Sequence, residues 1–390
     1  MILRISLENF YSIADEITID FAAAGFRGKS EVKAENLLHH GGEDYLNIVG
    51  VFGANASGKS NIFKAIAFCR NLILTSQSNT ATTVLDYQPF KFWYSRPSTF
   101  TMDFVCEGMR YLYSFSLMQN RIIAESLYHY PKGRKARIFE RDSEGKYIHK
   151  KGAIPLPSAV ETGTGPATLF LSRASSMNRE LAEKIYRMFK CDIATELSSY
   201  DLNEIDYDYM ERIRPTLLRA LEVCDSDIID IRKTSDQEGR SKLITYHREN
   251  PQIPFDFDKE ESAGTKRLVE IILAFLSHSC KDCTMLFDEF DLKLHPRLAE
   301  FILDIVRDSH SMQLLFSSHN HELLSLEHMR RDQFVFVNKL QNGRSDVYSL
   351  YDYTDFKPGM DLQKAYRNGM FDAVPYLGSS RSIIAAEPTE

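Results

Sequence analysis

Four short stretches carry residues whose types and spacing could do chemistry together. The first is GANASGKS, residues 53–60, which fits the spacing G-x-x-x-x-G-K-[ST]. Gly53 and Gly58 let backbone N–H groups turn inward, so that Asn55, Ala56, Ser57 and Gly58 can ring a phosphate. Lys59 supplies a charge for the outer phosphates and Ser60 a hydroxyl for Mg2+, while Asn61 continues the junction into a helix. The apolar run NIVGVFG precedes the loop and the helical run SNIFKAIAFCRNLIL follows it. Strand, glycine loop and helix N-terminus together are the context in which this spacing, a P-loop, binds a nucleoside triphosphate.

The second stretch, TMLFDEFD (284–291), is a mostly apolar strand that ends in carboxylates, the pattern of a Walker B strand. Asp288 emerges beside the loop as a Mg2+ ligand, and Glu289 is the candidate for polarising the attacking water. The third, QLLFSSHN (313–320), is another apolar strand. As a parallel neighbour of the second it delivers His319 to the same sheet edge, near the γ-phosphate. The fourth, ESAGTKRL (261–268), places Ser262 and Gly264 at the start of a helix. A serine and a glycine there make a cap of N–H groups plus one hydroxyl, a second phosphate-binding end. In its own chain that cap duplicates the P-loop. It is expected to act in trans, closing over the nucleotide of another copy.

The elements that must position these groups follow from periodicity. LRISLENF and ITIDF predict an opening meander of strands. STFTMDFVCEG, MRYLYSFSLMQ, RIIAESLYHYP and ARIFERD are short alternating runs split by Gly, Asn and Pro, which predicts an antiparallel sheet. Residues 167–223 turn helical, and two helices of that length would project roughly 30 Å at 1.5 Å per residue. Residues 262–350 alternate helix and apolar strand, the sign of a parallel α/β sheet. The expected division is 1–166 for the P-loop and β-lobe, 167–232 for a helical insertion serving as a short arm or oligomerisation element, and 233–378 for the signature, Walker B and His strand. A flexible tail, 379–390, follows.

The 390 residues carry 43% hydrophobic and 26% charged side chains and a net charge of −7. With a pI near 5.9, a chain-wide electrostatic grip on nucleic acid or anionic membrane is not expected. The N-terminus alternates as a strand does, without the basic start and apolar run of a signal peptide. LVEIILAFLSHSC is too short and interrupted to span a bilayer, so a cytoplasmic location is expected. Of six cysteines only Cys280 and Cys283 form a CxxC, with no second pair, and they read as thiols near the core.

The order P-loop, SxG helix, Walker B, His strand resembles the ATP-binding cassette and SMC-like superfamily, in which two heads sandwich two ATPs. LRISLENFYS (3–12) looks like the opening strand and Asn-Phe turn of the RecF, SMC and OLD ATPases. Tyr11 stands where many relatives carry Arg, and there it would stack on adenine. Gln88, in DYQPFKF, falls where superfamily members use a Gln to contact Mg2+ and water, in a register the sequence leaves open. The β-lobe runs, ESAGTKRL, DEFDLKLHP, FSSHNHELL and YRNGMFDAVPYL resemble the AAA-15 type ATPases of bacterial defence loci, which include the RloA and AbiL proteins and the ATPase subunit of PARIS. The resemblance covers nearly the whole chain and is weakest over 167–246.

That resemblance implies an α/β ABC/SMC-like P-loop head with an antiparallel β-lobe and a short helical insertion. It implies an Mg2+-dependent ATPase that assembles as a homo-oligomer around ATP and controls a separately encoded, nuclease-like effector, answering to a phage-encoded trigger. No Toprim nuclease is expected, since only 71 residues follow His319 and they hold no convincing carboxylate cluster. The alternative is a RecF/SMC-like repair ATPase that binds DNA directly. A transporter subunit is disfavoured because Lys59 and Ser262 lie 203 residues apart, an interval also too short for a long coiled-coil arm. A fourth reading is a nucleotide-locked scaffold that hydrolyses very slowly; Asp288, Glu289 and His319 argue against permanent inactivity but not against slow turnover. KGRKARIFER, with Lys132, Arg134, Lys135, Arg137 and Arg141, reads as a solvated hairpin or as a phosphate or partner contact. His295 and Pro296 fix the turn after Walker B and place Asp291 at the protomer interface.

Overall fold

The computed structural model describes residues 1–25, 34–80, 82–195, 206–235, 241–277, 283–357 and 359–375. Cys280 and the tail 379–390 lie outside them; Cys283 opens a buried strand.

The strand leading to the P-loop, Ile48–Gly53, sits inside a six-stranded sheet. Its order is Ile193–Ala194, Cys283–Phe287, Met312–Ser318, Ile48–Gly53, Phe334–Lys339 and Ser345–Ser349. The first five run parallel and the last pairs antiparallel. Both faces are covered, which is why these strands read as unbroken apolar runs. The period of two still sorts the side chains. Val49, Val51, Leu286, Leu315, Val335 and Val337 join one core. Ile48, Phe52, Met285, Phe287, Leu314, Phe316, Phe334 and Phe336 join the other. Phe316 packs between Phe52 and Phe290, with ring centroids 5.9 and 5.3 Å away. Truncating it to alanine would cost roughly 3–5 kcal/mol.

The first core is closed by a seven-stranded antiparallel sheet, ordered Tyr147–His149, Ala136–Arg141, Arg121–His129, Met109–Met118, Ser98–Cys106, Ile2–Glu8 and Ile17–Asp20. The opening meander and the antiparallel lobe expected from alternation are therefore one sheet. The P-loop helix, Lys59–Thr75, lies in the core it shares with the parallel sheet, burying Ile62, Phe63, Ile66, Leu72 and Ile73. On the other side of the parallel sheet, Ala263–Ser277 and Pro296–Ser309 fill the second core. Gln313 staples the two sheets together. Its amide donates to the carbonyl of Ile2 at 2.9 Å and accepts from the N–H of Ile2 at 2.8 Å.

The predicted projecting pair of helices is not what forms. Glu180–Cys191 buries Ala182, Ile185, Met188 and Phe189 in the first core, where Phe189 meets Phe104 edge-on at 5.2 Å. Tyr207–Val223 buries Met210, Leu217 and Leu221 in the second core. Each helix carries one apolar stripe, and a stripe is buried against whichever sheet face lies nearest rather than left along an arm. The 167–232 stretch is thus divided between two cores.

Candidate functional site

The P-loop strand, the Walker B strand and the histidine strand are consecutive in the parallel sheet, so Gly53, Asp288 and His319 leave it at the same carboxyl edge. That edge is where open α/β sheets bind ligands. A cavity of about 790 Å3 opens there. Asn55, Ala56, Ser57, Gly58, Lys59, Ser60 and Asn61 line one wall, and Glu289, Asp291, Leu292, Lys293, His319 and Asn320 line the facing one. Gly53 lies behind the wall.

The loop is held in its phosphate-cradling shape before any phosphate arrives. Ala56 and Gly58 take left-handed backbone angles, φ 60° and 112°. A Cβ on Gly58 would stand 2.0 Å from Ser345 Oγ and 2.6 Å from Ser12 Oγ, so only glycine fits. Those two hydroxyls are the loop's clamp. They are 2.7 Å apart, Ser345 Oγ donates to the carbonyl of Ser57 at 2.6 Å, and Asn61 donates to Ser12 Oγ at 2.7 Å. The hydroxyl of Ser57 is buried beside Gly53 without a partner among the described residues.

Lys59 is nearly buried and donates from Nζ to the carbonyls of Gly53 at 2.8 Å and Ala54 at 3.0 Å. Burial lowers its amine to about 8, against the pull of Asp288 and Glu289. His319 Nδ1 stands 3.5 Å from that amine. Burial, and then the Lys59 charge, push the imidazole below its ordinary value, so the ring is neutral at pH 7.

Walker B is organised by a serine. Ser317 Oγ donates to Asp288 Oδ1 at 2.5 Å and accepts from the Glu289 N–H at 2.8 Å. Glu289 sits at φ 48°, a conformation that costs a non-glycine residue about 1–3 kcal/mol and collects at functional sites. From the other side Arg267, on the signature helix Ala263–Ser277, donates to the carbonyls of Glu289 at 3.0 Å and Asp288 at 3.3 Å. Burial lowers the Arg267 guanidinium below its ordinary range.

Ser262 and Gly264 do not line this cavity. Ser262 is exposed, and its Oγ caps the helix by accepting from the Thr265 N–H at 3.0 Å. Gly264 lies against the carbonyl of Lys293, which a Cβ would approach to 2.9 Å. A second cavity of about 410 Å3 separates this helix from Walker B, and Glu289, Leu292 and Lys293 line both cavities. Tyr11 and Gln88 lie outside both. The Tyr11 N–H donates to the Gln88 carbonyl at 2.8 Å, its ring carries Lys64 Nζ at 5.4 Å, and the Gln88 side chain is exposed. Ser12, next to Tyr11, is the residue that reaches the loop. The lobe hairpin after Arg121–His129 keeps Lys132, Arg134 and Lys135 exposed, away from the cavity.

The donor set fits a nucleoside triphosphate with a divalent cation. Inward N–H groups, the Lys59 amine and a helix N-terminus suit its phosphates. No group of three or more His, Cys, Asp or Glu able to hold a metal occurs among the described residues. Ser60 in the cavity wall and Asp288, which lines the neighbouring cavity, are the residues that could share a cation with phosphate oxygens. No helix among the described residues is long and apolar enough to cross a membrane.

Residues 48–325, more than two thirds of the chain, match the family model described as "AAA domain, putative AbiEii toxin, Type IV TA system". No curated protein matches. Among solved structures, the SMC head bound to the C-winged helix domain of ScpA aligns at 14% identity over 89% of this chain and 97% of that one, with a TM-score of 0.49. The SMC head domain from Thermotoga maritima aligns at 15% over 89% and 98%, TM-score 0.43. A Smc head with an extended coiled coil, bound to the C-terminal domain of ScpA derived from Pyrococcus furiosus, aligns at 14% over 94% and 98%, TM-score 0.45. The family match, and not these distant alignments, carries the assignment: the chain belongs to the AAA domain family of the AbiEii-toxin type.

Proposed function

We propose that the chain is an ABC/SMC-like ATPase that binds ATP and Mg2+, closes with a second copy around the nucleotide and hydrolyses it slowly. The single observation that carries this is the 790 Å3 cavity, where a preformed P-loop faces Glu289 and His319. Lys59 would leave the Gly53 and Ala54 carbonyls for the β- and γ-phosphates. Asp288, held by Ser317, and Ser60 would hold the cation, whose charge screens the phosphates. Glu289 would take the proton of the attacking water, with neutral His319 ordering that water. Exposed Ser262 and half-buried Gly264, neither lining its own chain's cavity, would cap the nucleotide of the partner copy.

In the same reading the head is a sensor and regulatory scaffold of prokaryotic anti-phage defence. It acts in the cytoplasm, restrains a separately encoded nuclease-like effector and answers to a phage-encoded trigger. The family's description, a putative toxin of a toxin–antitoxin system, supports a chain that works with a separately encoded partner.

The test is the solution mass of Glu289→Gln with and without ATP and Mg2+, and again with Ser262→Arg added. ATP-driven association that Ser262→Arg abolishes is expected. A monomer under all conditions overturns the sandwich. A salt-sensitive complex of the purified head with DNA would instead move the reading to a repair ATPase.

A further inference from the structure

Beside the nucleotide cavity lies a rigid aromatic and basic surface to which the ATP site gives no role. Phe92 and Tyr94 are 78% and 67% exposed, far more than large aromatic side chains usually are. Trp93 between them is clasped by two guanidinium groups, with Arg96 at 4.0 Å and Arg344 at 4.6 Å from its ring centre. The segment is fixed from beneath. Asn9, 1% exposed, donates to the carbonyls of Trp93, Arg96 and Pro97 and accepts from the Phe90 N–H. A surface held this firmly has little ordering entropy to lose on binding. It abuts the cavity directly, because Gly343 lines the cavity and Arg344 stacks on Trp93.

The order of features across this face of the molecule limits what can cover the platform. The turn 291–293 lies between the two cavities, since Leu292 and Lys293 line both. On one side of it come the signature Ser262 and Gly264 and then the strip 253–261 that leads into them. On the other side come the P-loop cavity and then the platform. In an isologous pair the same surface meets itself in reverse order. If the signature of one copy covers the P-loop of the other, the strip 253–261, which runs directly into Ser262, is carried toward the surface around that P-loop, to which the platform belongs. The chemistry matches. The strip is acidic, with Asp258 and Glu260 exposed, and it presents Ile253 at 51% exposure. The platform presents Lys91 and Arg96, both exposed, around its aromatic rings.

Resting on the sandwich reading, we propose that the platform formed by Lys91, Phe92, Tyr94 and Arg96 is a docking surface for a second copy of this chain, and that it receives the acidic strip around Asp258 and Glu260. The platform therefore selects which chain may cap the nucleotide, independently of the motifs that bind it. Opposite charges at the rim speed and orient the encounter, and the exposed rings bury against Ile253.

The experiment measures ATP-dependent self-association by sedimentation in the Glu289→Gln background, at low and high salt. Lys91→Glu with Arg96→Glu is expected to weaken association at least tenfold at low salt while leaving binding of a fluorescent ATP analogue to the monomer unchanged. Phe92→Ser, at a fully solvated position, is expected to do the same. Asp258→Lys with Glu260→Lys should be equally defective alone. Mixing the two charge-reversed proteins should restore a heterodimer with one rescued contact. Association that ignores both the platform and the strip variants overturns this proposal but leaves the sandwich standing. A Glu289→Gln protein that never associates with ATP overturns both. A platform variant that loses single-stranded oligonucleotide binding and keeps association assigns the surface to nucleic acid instead.

Discussion

The P-loop end and the helix start at Ser262 and Gly264 are both glycine-containing helix N-termini, yet they are built in opposite ways. The P-loop is finished within its own chain: Ser12, Ser345 and Asn61 clamp it, Lys59 is nearly buried, and a cavity stands over it. The signature helix points its serine outward, paired only locally with Thr265. On the proposed reading, one end would hold a nucleotide and the other would complete the site of a second copy. Glu289 and Arg267 stand between them. The difference teaches that nucleotide affinity and nucleotide capping are separable properties here, and mutations should pull them apart.

The sharpest break is at the chemical step. Glu289→Gln should lower ATP turnover by about 10²–10⁴-fold while nucleotide still binds, read by single-turnover hydrolysis beside a binding titration. Equal loss of binding would mean that Glu289 shapes the cavity rather than the reaction. Next, Lys59→Ala should weaken binding of an ATP analogue by on the order of 10²-fold in the monomer, since it removes a charge-assisted contact worth about 1.5–3 kcal/mol together with its field in a low-dielectric site. Ser262→Arg should leave that monomer titration unmoved and abolish association.

A fourth variant tests the bridge between the two ends. Arg267→Ala removes the donor to the Asp288 and Glu289 carbonyls. It should lower kcat roughly tenfold, about 1.4 kcal/mol of transition-state positioning, with KM nearly unchanged. Arg267→Lys should restore part of it. A change confined to thermal stability would reduce Arg267 to a structural tie.

The smallest effect is a pH dependence that belongs to the P-loop end alone. The Lys59 amine is lowered to about 8 in the free protein. It is charged below that value and loses its charge above it, whereas an unfolded chain keeps the proton to about 10.4. Nucleotide affinity should therefore fall as pH rises through 8, with proton uptake on binding visible as a buffer-dependent heat in calorimetry. Over the same window the free protein should become more stable, because the unfolded state binds the extra proton. His319, held below the usual histidine value by burial and the Lys59 charge, should lose its role on acidification at a lower pH than an ordinary imidazole would.

What was legible in the sequence was local. GANASGKS is a loop whose shape depends on its own glycines, and TMLFDEFD and QLLFSSHN announce buried strands by unbroken apolar runs that end in chemistry. Their adjacency in the sheet was inferred and is observed. What was not legible is what arrives from far away in the chain. Ser345, almost 290 residues from Ser57, clamps the loop, and Ser317 orders Asp288 from the next strand. Arg267 was in view inside ESAGTKRL, but its direction, back toward Walker B, depends on a packing that spacing does not encode. Tyr11 drew attention as an aromatic where relatives carry Arg, while the smaller Ser12 beside it makes the contact. The helices of 167–223 were recognised as helices and misplaced as an arm, since a stripe of Ile185, Met188 and Phe189 states that a face is buried, not against what.

The P-loop strand lies between Met312–Ser318 and Phe334–Lys339, and so between partners that a ribosome makes long after it. Met312 follows Gly53 by more than 250 residues. At about 5–20 residues per second, that is roughly 13–50 s of synthesis in which the strand has no sheet to join. The GANASGKS segment on a nascent chain thus has its letters but neither its neighbours nor the Ser345 clamp. The loop can take its clamped shape only after Ser345 has been made, so a chain cut before that residue should bind a nucleotide poorly.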